Sequence, residues 1–142
     1  MWGANYREIF RAFADEPPLS IEPIGSGNIN DTLKVVVAGS SYLLQRINHQ
    51  VFTNPAQVQK NYELIYAHLV GQGLPLHLPA LIRTKAGAAF TTDSGGNVWR
   101  LLEFIEGGIA YEQAQSLEQV AEAAAKIGQF VAALNRLPVP DI

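Results

Sequence analysis

The run Gly25-Ser26-Gly27-Asn28 constrains this chain more than any other stretch, because it lies between two extended segments and not between a strand and a helix. Ile21 and Ile24 lead into it. Thr32 to Val37, rich in β-branched residues, leaves it as a strand. A second turn is read at Gly39-Ser40-Ser41, and another short strand, Tyr42 to Ile47, follows. Strand, glycine turn, strand, tight turn, strand describes an antiparallel meander.

The flanking segments change period. Tyr6, Ile9, Phe10 and Phe13 recur at helical spacing within Asn5 to Ala14, and Pro17-Pro18 ends that helix, an N-terminal brace for the sheet. After the meander, Asn54-Pro55-Ala56-Gln57 carries an N-cap, a first-turn proline and a capping-box glutamine. Val58, Tyr62, Ile65 and Leu69 then form one apolar face, closed by Gly71 and Gly73. Leu74 to Glu106 returns to strand, with Ala88–Thr92 and Val98–Ile105 flanking the loop Asp93-Ser94-Gly95-Gly96-Asn97. Ser116-Leu117-Glu118-Gln119 caps a last helix whose stripe is Leu117, Val120, Ala124, Ile127, Val131 and Leu134, ended by Pro138 and Pro140. The order is α-β-β-β-α-β-β-α, with no internal repeat, low-complexity tract or linker.

Composition narrows the function classes. With 48% apolar and 16% charged residues, the 142-residue chain is globular and long enough for one domain with a core. A formal charge of -3 with scattered Lys and Arg gives no basic stripe for nucleic acid. The absence of cysteine excludes disulfides and thiolate metal sites and fits a cytoplasmic location. Arg7, Glu8 and Arg11 stand where a signal peptide would be apolar, and no run approaches the roughly 20 residues of a membrane span. No membrane partner is expected.

Gly25 to Asp31 is the leading candidate for chemistry. Glycines let the backbone turn sharply and approach a ligand, and successive N–H groups there can cradle phosphate oxygens. The same turn also occurs in plain hairpins. The Walker A pattern GxxxxGK[ST] is absent, and so is the dinucleotide fingerprint GxGxxG. Arg46 interrupts an apolar run, and alternation sets Leu43, Gln45 and Ile47 on one strand face and Tyr42, Leu44 and Arg46 on the other. A cation there can hold phosphates or be a solvated edge residue. Glu63, one residue off its helix stripe, can pair with that cation or be a solvated carboxylate. His49, His68 and His77 have no metal-ligand spacing, and Ser94 and Ser116 sit in a turn and a cap. Glu103-Phe104-Ile105-Glu106-Gly107-Gly108 reads as a hinge whose backbone meets an adenine edge, or as an ordinary strand-to-loop transition.

Two segments carry a resemblance: Ile21 to Thr32 with its Gly25-Ser26-Gly27-Asn28-Ile29-Asn30-Asp31 core, and Tyr42-Leu43-Leu44-Gln45-Arg46-Ile47-Asn48 followed by Val51-Phe52 and Asn54. They resemble the phosphotransferase family that contains N-acetylhexosamine 1-kinases and belongs with the aminoglycoside phosphotransferases and choline kinases. Trp99 to Glu106 is similar to that family's strand-and-hinge segment. Ala124 to Leu134, with Gly128-Gln129-Phe130, is similar to the first large helix of its C-terminal lobe. The similarity runs from about Leu19 onward.

The resemblance implies an α+β, protein-kinase-like N-terminal lobe. That lobe is an antiparallel five-stranded sheet with one αC-like helix, preceded by a short helix (residues 1–18) and occupying residues 19–106. Residues 107–142 are then the hinge and the first helix of the C-terminal lobe. It implies ATP-dependent phosphorylation of a sugar, amino sugar or related hydroxyl compound, with Mg in the complete protein. Nucleotide contacts are implied for Gly25, Ser26, Gly27, Asn28, Asn30, Asp31, Gln45, Arg46, Glu63, Glu103, Phe104 and Ile105. The family's catalytic Asp lies in an HxD-type loop, and a second Asp binds Mg. None of Asp15, Asp31, Asp93 and Asp141 follows a His in that manner, so no catalytic or metal residue is expected here and the chain alone should be inactive. The acceptor would bind the other lobe, and the Leu117–Leu134 stripe would self-associate or dock onto the hinge. A non-catalytic kinase-like binding or regulatory module is the alternative. A sulfatase would need Cys or Ser within an acidic metal cluster, which is not present.

One departure stands out. Against the family's hydrophobic-x-hydrophobic-Lys pattern, Gln45 takes the lysine position and Arg46 comes one residue late. One residue flips the face of a strand. Either Gln45 meets the phosphates, or a bulge or register shift lets Arg46 serve. The second is preferred, since a charge is useful to ATP and costly in a core.

Overall fold

Asn5 caps the first helix by accepting a hydrogen bond from the Glu8 N–H on its side chain, and helix α1, Tyr6–Arg11, follows. Glu8 in the first turn and Arg11 in the last complement the helix dipole. Six residues are too few for a helix to persist alone, so packing must hold it. Ile9 and Phe10, with Phe13 beyond the helix end, are buried in the core, which is the brace expected from their spacing. The computed structural model describes residues 5–25 and 29–138.

Strands β1 (Ser20–Pro23), β2 (Asp31–Val37) and β3 (Ser40–Ile47) form the meander. Ser40 and Ser41 belong to β3, so the turn is the two residues Ala38 and Gly39 and not Gly39-Ser40-Ser41. Gly39 takes φ +83°, a region glycine enters without steric penalty. The next helix, α2 (Pro55–Gly71), starts where the capping pattern places it, with the Gln57 N–H donating to Asn54 Oδ1 at 3.1 Å.

Strands β4 (Leu81–Ile82), β5 (Thr91–Thr92) and β6 (Val98–Glu103) complete one six-stranded antiparallel sheet. Its path is β1-β2-β3-β6-β4, with β5 also paired to β6. The sheet thus has one strand more than the five expected. β4 is the addition, the strand expected over 88–92 shrinks to two residues, and the one expected over 98–105 stops at Glu103. The outer edge of β6 is shared: Thr91 and Thr92 pair with Trp99 and Val98, while Leu81 and Ile82 pair with Leu102 and Leu101.

The described residues fall into two compact units. One runs to Gln59 and resumes over Pro79–Phe104. Its core joins Ile9, Phe10 and Phe13 to Leu33, Val35 and Val37 of β2, Leu44 of β3, and Trp99 and Leu101 of β6. Alternate residues of β2 enter this core, as one-sided burial of a strand requires.

The second unit comprises Lys60–Leu78 and the residues from Ile105 onward, including α3 (Leu117–Leu134). Within it His68 Nε2 lies 2.9 Å from the Ala133 carbonyl, beside buried Leu69 and Ala133. Ser116 caps α3 by accepting from the Gln119 N–H, while the Gln119 side chain accepts from the Gln115 N–H, one residue before the cap. Leu117, Val120, Ile127 and Val131 of the apolar stripe are exposed. Among the described residues no helix is long and apolar enough to cross a membrane.

Candidate functional site: two faces of one sheet

The register of β3 decides what each of its side chains can do. Asp31 pairs with Arg46, Thr32 with Gln45, and so on to Val37 with Ser40, one to one. The ladder contains neither the bulge nor the shift that would bring Arg46 round to the Gln45 face. Directly opposed residues share a face. Arg46 therefore emerges beside Asp31 and Trp99 on the face that α1 covers, and Gln45 emerges with Thr32 and Arg100 on the other.

The α1 face carries charges that satisfy one another. Arg46 is ion-paired with Asp31, its Nε donating to Asp31 Oδ2 at 2.6 Å, and Nη1 reaches Asn97 Oδ1 at 3.4 Å. Arg46, preferred as the inward cation, thus meets the Asp31 carboxylate on the α1 face. Asp31, expected beside it, is its partner there. Asp93 sits nearby and accepts from the N–H groups of Gly95 and Asn97, from Asn97 Nδ2 and from the Trp99 indole. Burial opposes ionisation of this carboxyl, but the bonds from Trp99, Asn97 and Gly95 outweigh it, and its pKa lies below the ordinary aspartate value. A cleft of about 630 Å³ opens here, and one of about 350 Å³ lies beneath Pro23–Gly25. Both are bordered by Tyr6 and Asp31, and neither by Gln45 or Arg100.

The opposite face carries a polar chain. Gln45 Nε2 donates to Thr32 Oγ1 at 3.0 Å, which turns Oε1 toward β6. Arg100 grips that oxygen with Nε at 3.0 Å and Nη2 at 2.7 Å. Arg100 Nη1 also donates to Gln59 Oε1 of α2 at 3.4 Å. Gln59 is 1% exposed, and its Nε2 has no hydrogen-bond partner among the described residues. Glu63 stands one turn further along α2 and is half-buried. Next along the sheet face is Lys34, whose Nζ lies 4.0 Å from the centre of the Phe104 ring.

At the two ends of the strands lie the remaining candidates. Gly25 takes φ +75°, and the Ile24 N–H donates to the Thr32 carbonyl at 3.0 Å, closing the base of the glycine turn. Asn30 Oδ1 accepts from the Asn48 N–H at 2.9 Å, tying the turn to the end of β3. Ser26, Gly27 and Asn28 lie outside the described residues. Glu103 ends β6, with its N–H donating to the Ala80 carbonyl at 2.8 Å and its carboxylate accepting from the Ala80 N–H at 3.2 Å. Ile105 follows Phe104, and Gly107 turns with φ +76°. Among the described residues no three His, Asp or Glu side chains gather as a metal-holding group. Arg100, Gln59, Thr32 and Lys34 are the residues that sequence reasoning missed. The signal was present for Arg100, a second charge inside an apolar strand, but its ladder partner was not.

The sequence model of the phosphotransferase enzyme family called APH matches residues 20–142. The chain belongs to the APH phosphotransferase family. Among solved structures it is similar to spectinomycin phosphotransferase APH(9)-Ia, determined in complex with ADP and spectinomycin, with a TM-score of 0.64 at 13% identity. The match covers 95% of this chain and 38% of that one, so the chain spans well under half of that phosphotransferase. At this identity the likeness establishes the fold alone: the antiparallel α+β architecture is that of the kinase-like N-terminal lobe of the APH fold. The APH family thus accounts for the antiparallel α+β architecture.

Proposed function

We propose that this chain is the nucleotide-binding portion of an ATP-dependent kinase of small hydroxyl compounds. The observation that carries the proposal is the Thr32–Gln45–Arg100–Gln59 chain of hydrogen bonds on the sheet face opposite the α1 core. The Arg100 guanidinium in that chain offers a fixed cation to a ligand rich in acceptor oxygens. On this reading the glycine turn Gly25–Asn30 approaches the phosphates, Gln45 lines their path, and Glu103–Phe104–Ile105 meets the base at the hinge. The family resemblance adds Glu63 to the set. Mg arrives with the nucleotide. Residues 1–18 are a brace, 19–106 the small lobe and 107–142 the hinge and first helix of a second lobe. Arg46 and Asp31 drop out of the nucleotide set, because they pair with each other on the α1 face.

Transfer chemistry is assigned to residues beyond this stretch, since none of its four Asp residues stands in an HxD-type loop. The acceptor is a sugar, an amino sugar or a related polyol. The relative that holds ADP together with spectinomycin supports a hydroxyl-rich acceptor. A cysteine-free chain that consumes ATP suits the cytoplasm. The exposed stripe on α3 is proposed to self-associate in the isolated chain. Isothermal titration of the full-length protein with Mg-ATP tests the central claim. Saturable binding at millimolar nucleotide or below is expected, and no heat at all would remove it.

A further inference from the structure

A glutamine on β3 cannot supply the charge that a phosphate chain needs, yet the sheet delivers a guanidinium to the same place. Gln45 and Arg100 are directly opposed across the β3–β6 ladder. Opposed side chains start about 5 Å apart, so a long side chain on either strand reaches a common point above the pair. We propose that Arg100 of β6 is the residue that contacts the nucleotide's phosphates, and that Gln45 and Gln59 are positioning residues that aim it. This rests on the nucleotide reading above and names the cation of that site.

Three observations carry it. First, the aim is over-determined. Thr32 fixes which end of the Gln45 amide faces β6, and that oxygen takes two N–H groups of the guanidinium at once. Gln59 takes a third from α2. A planar fork held at several points is pre-organised for a tetrahedral anion in a way that a flexible ammonium is not. Second, Gln59 is fully buried, and the nitrogen of the same amide whose oxygen holds Arg100 lacks a partner among the described residues. Burial holds that amide in place, so its oxygen presents a fixed acceptor to Arg100 from the α2 side. Third, the other cations are placed for other tasks. Arg46 faces α1 and pairs with Asp31, while Lys34 lies over the Phe104 ring at the hinge end of β6.

The test compares affinities for Mg-ATP and for adenosine, which lacks the phosphates, by isothermal titration of the full-length protein. Arg100→Gln should weaken Mg-ATP by about ten- to hundredfold while leaving adenosine unchanged. Arg100→Lys should recover part of the loss, because it restores charge without the fork. Arg46→Met should leave both ligands unchanged. Should Arg100→Gln fail to fold, Gln45→Ala takes its place: it should lose Mg-ATP affinity severalfold and keep adenosine. Unchanged Mg-ATP affinity in the variant that folds, or equal loss of both ligands, overturns the role of Arg100 and leaves the nucleotide reading standing. A wild-type protein that binds neither ligand overturns both.

Discussion

The Trp99 indole donates to Asp93 Oδ2 at 2.9 Å, so the largest fully buried side chain among the described residues is anchored to the first residue of the loop that introduces its strand. Asp93 in turn gathers the N–H groups of Gly95 and Asn97. A carboxylate that accepts this many bonds favours its charged form, which is why its pKa falls despite burial. A depressed folded pKa makes ionised Asp93 a source of stability. That contribution is complete above the unfolded value of about 3.9 and is lost as pH falls through the lower folded value. Asp93→Asn should be less stable than wild type at pH 7, and the gap should close as pH drops below about 4. Urea unfolding at a series of pH values reads this directly. A gap that stays constant to pH 2 would deny Asp93 the role.

Phe10 is fully buried and its ring lies 6.0 Å from that of Tyr42. Helix α1 has only six residues, so its docking depends on Phe10, Ile9 and Phe13 more than on helix propensity. Phe10→Ala should cost about 3–5 kcal/mol. Equilibrium denaturation measures the loss, and a change below about 1 kcal/mol would mean that α1 is dispensable to the core.

The Arg46–Asp31 pair is partly solvated, with side chains 28% and 33% exposed. Pairs of this kind contribute about 0–1 kcal/mol and weaken with salt. Arg46→Met should therefore shift the unfolding midpoint only slightly, and less in 1 M salt than in dilute buffer. A loss of several kcal/mol would show that the pair is a structural keystone of the α1 face.

Ile127 is 63% exposed at the centre of the α3 stripe. The isolated 142-residue chain should associate with increasing concentration, and Ile127→Glu should return it to the monomer. An exposed helix position tolerates such a change within about 0.5 kcal/mol, so loss of association would not be a folding defect. Sedimentation velocity decides: a wild-type chain that stays monomeric at high concentration removes the self-association proposal.

Much of the architecture was legible because the governing signals are local. Asn54 and Ser116 announce their helices through cap chemistry that operates within three residues, and both hydrogen bonds are present. The β-branched run Thr32 to Val37 announces β2, which spans Asp31–Val37. What escaped was non-local. Leu81–Ile82 is a strand only because Leu101 and Leu102 pair with it, and two residues display no period of their own. The same holds for the site. Alternation separated Gln45 from Arg46 correctly, but which of the two faces lies under α1 depends on contacts with Phe10 and Trp99. The partner of Gln45 is set by the β3–β6 register, which pattern alone does not reveal.

That register has a consequence for how the protein comes into being. The meander β1–β2–β3 closes through short turns and can pair while still emerging from the ribosome. Gln45 and Arg100, by contrast, are 55 residues apart. The polar cluster cannot exist until all of α2 and the segments after it have been synthesised and β6 has slotted beside β3. Long-range pairings of this kind carry the largest loop-closure cost and form slowly. Until then the exposed edge of β3 is an open template for other chains. The last strand to dock therefore both completes the candidate nucleotide site and ends the period in which the nascent chain is most prone to aggregate.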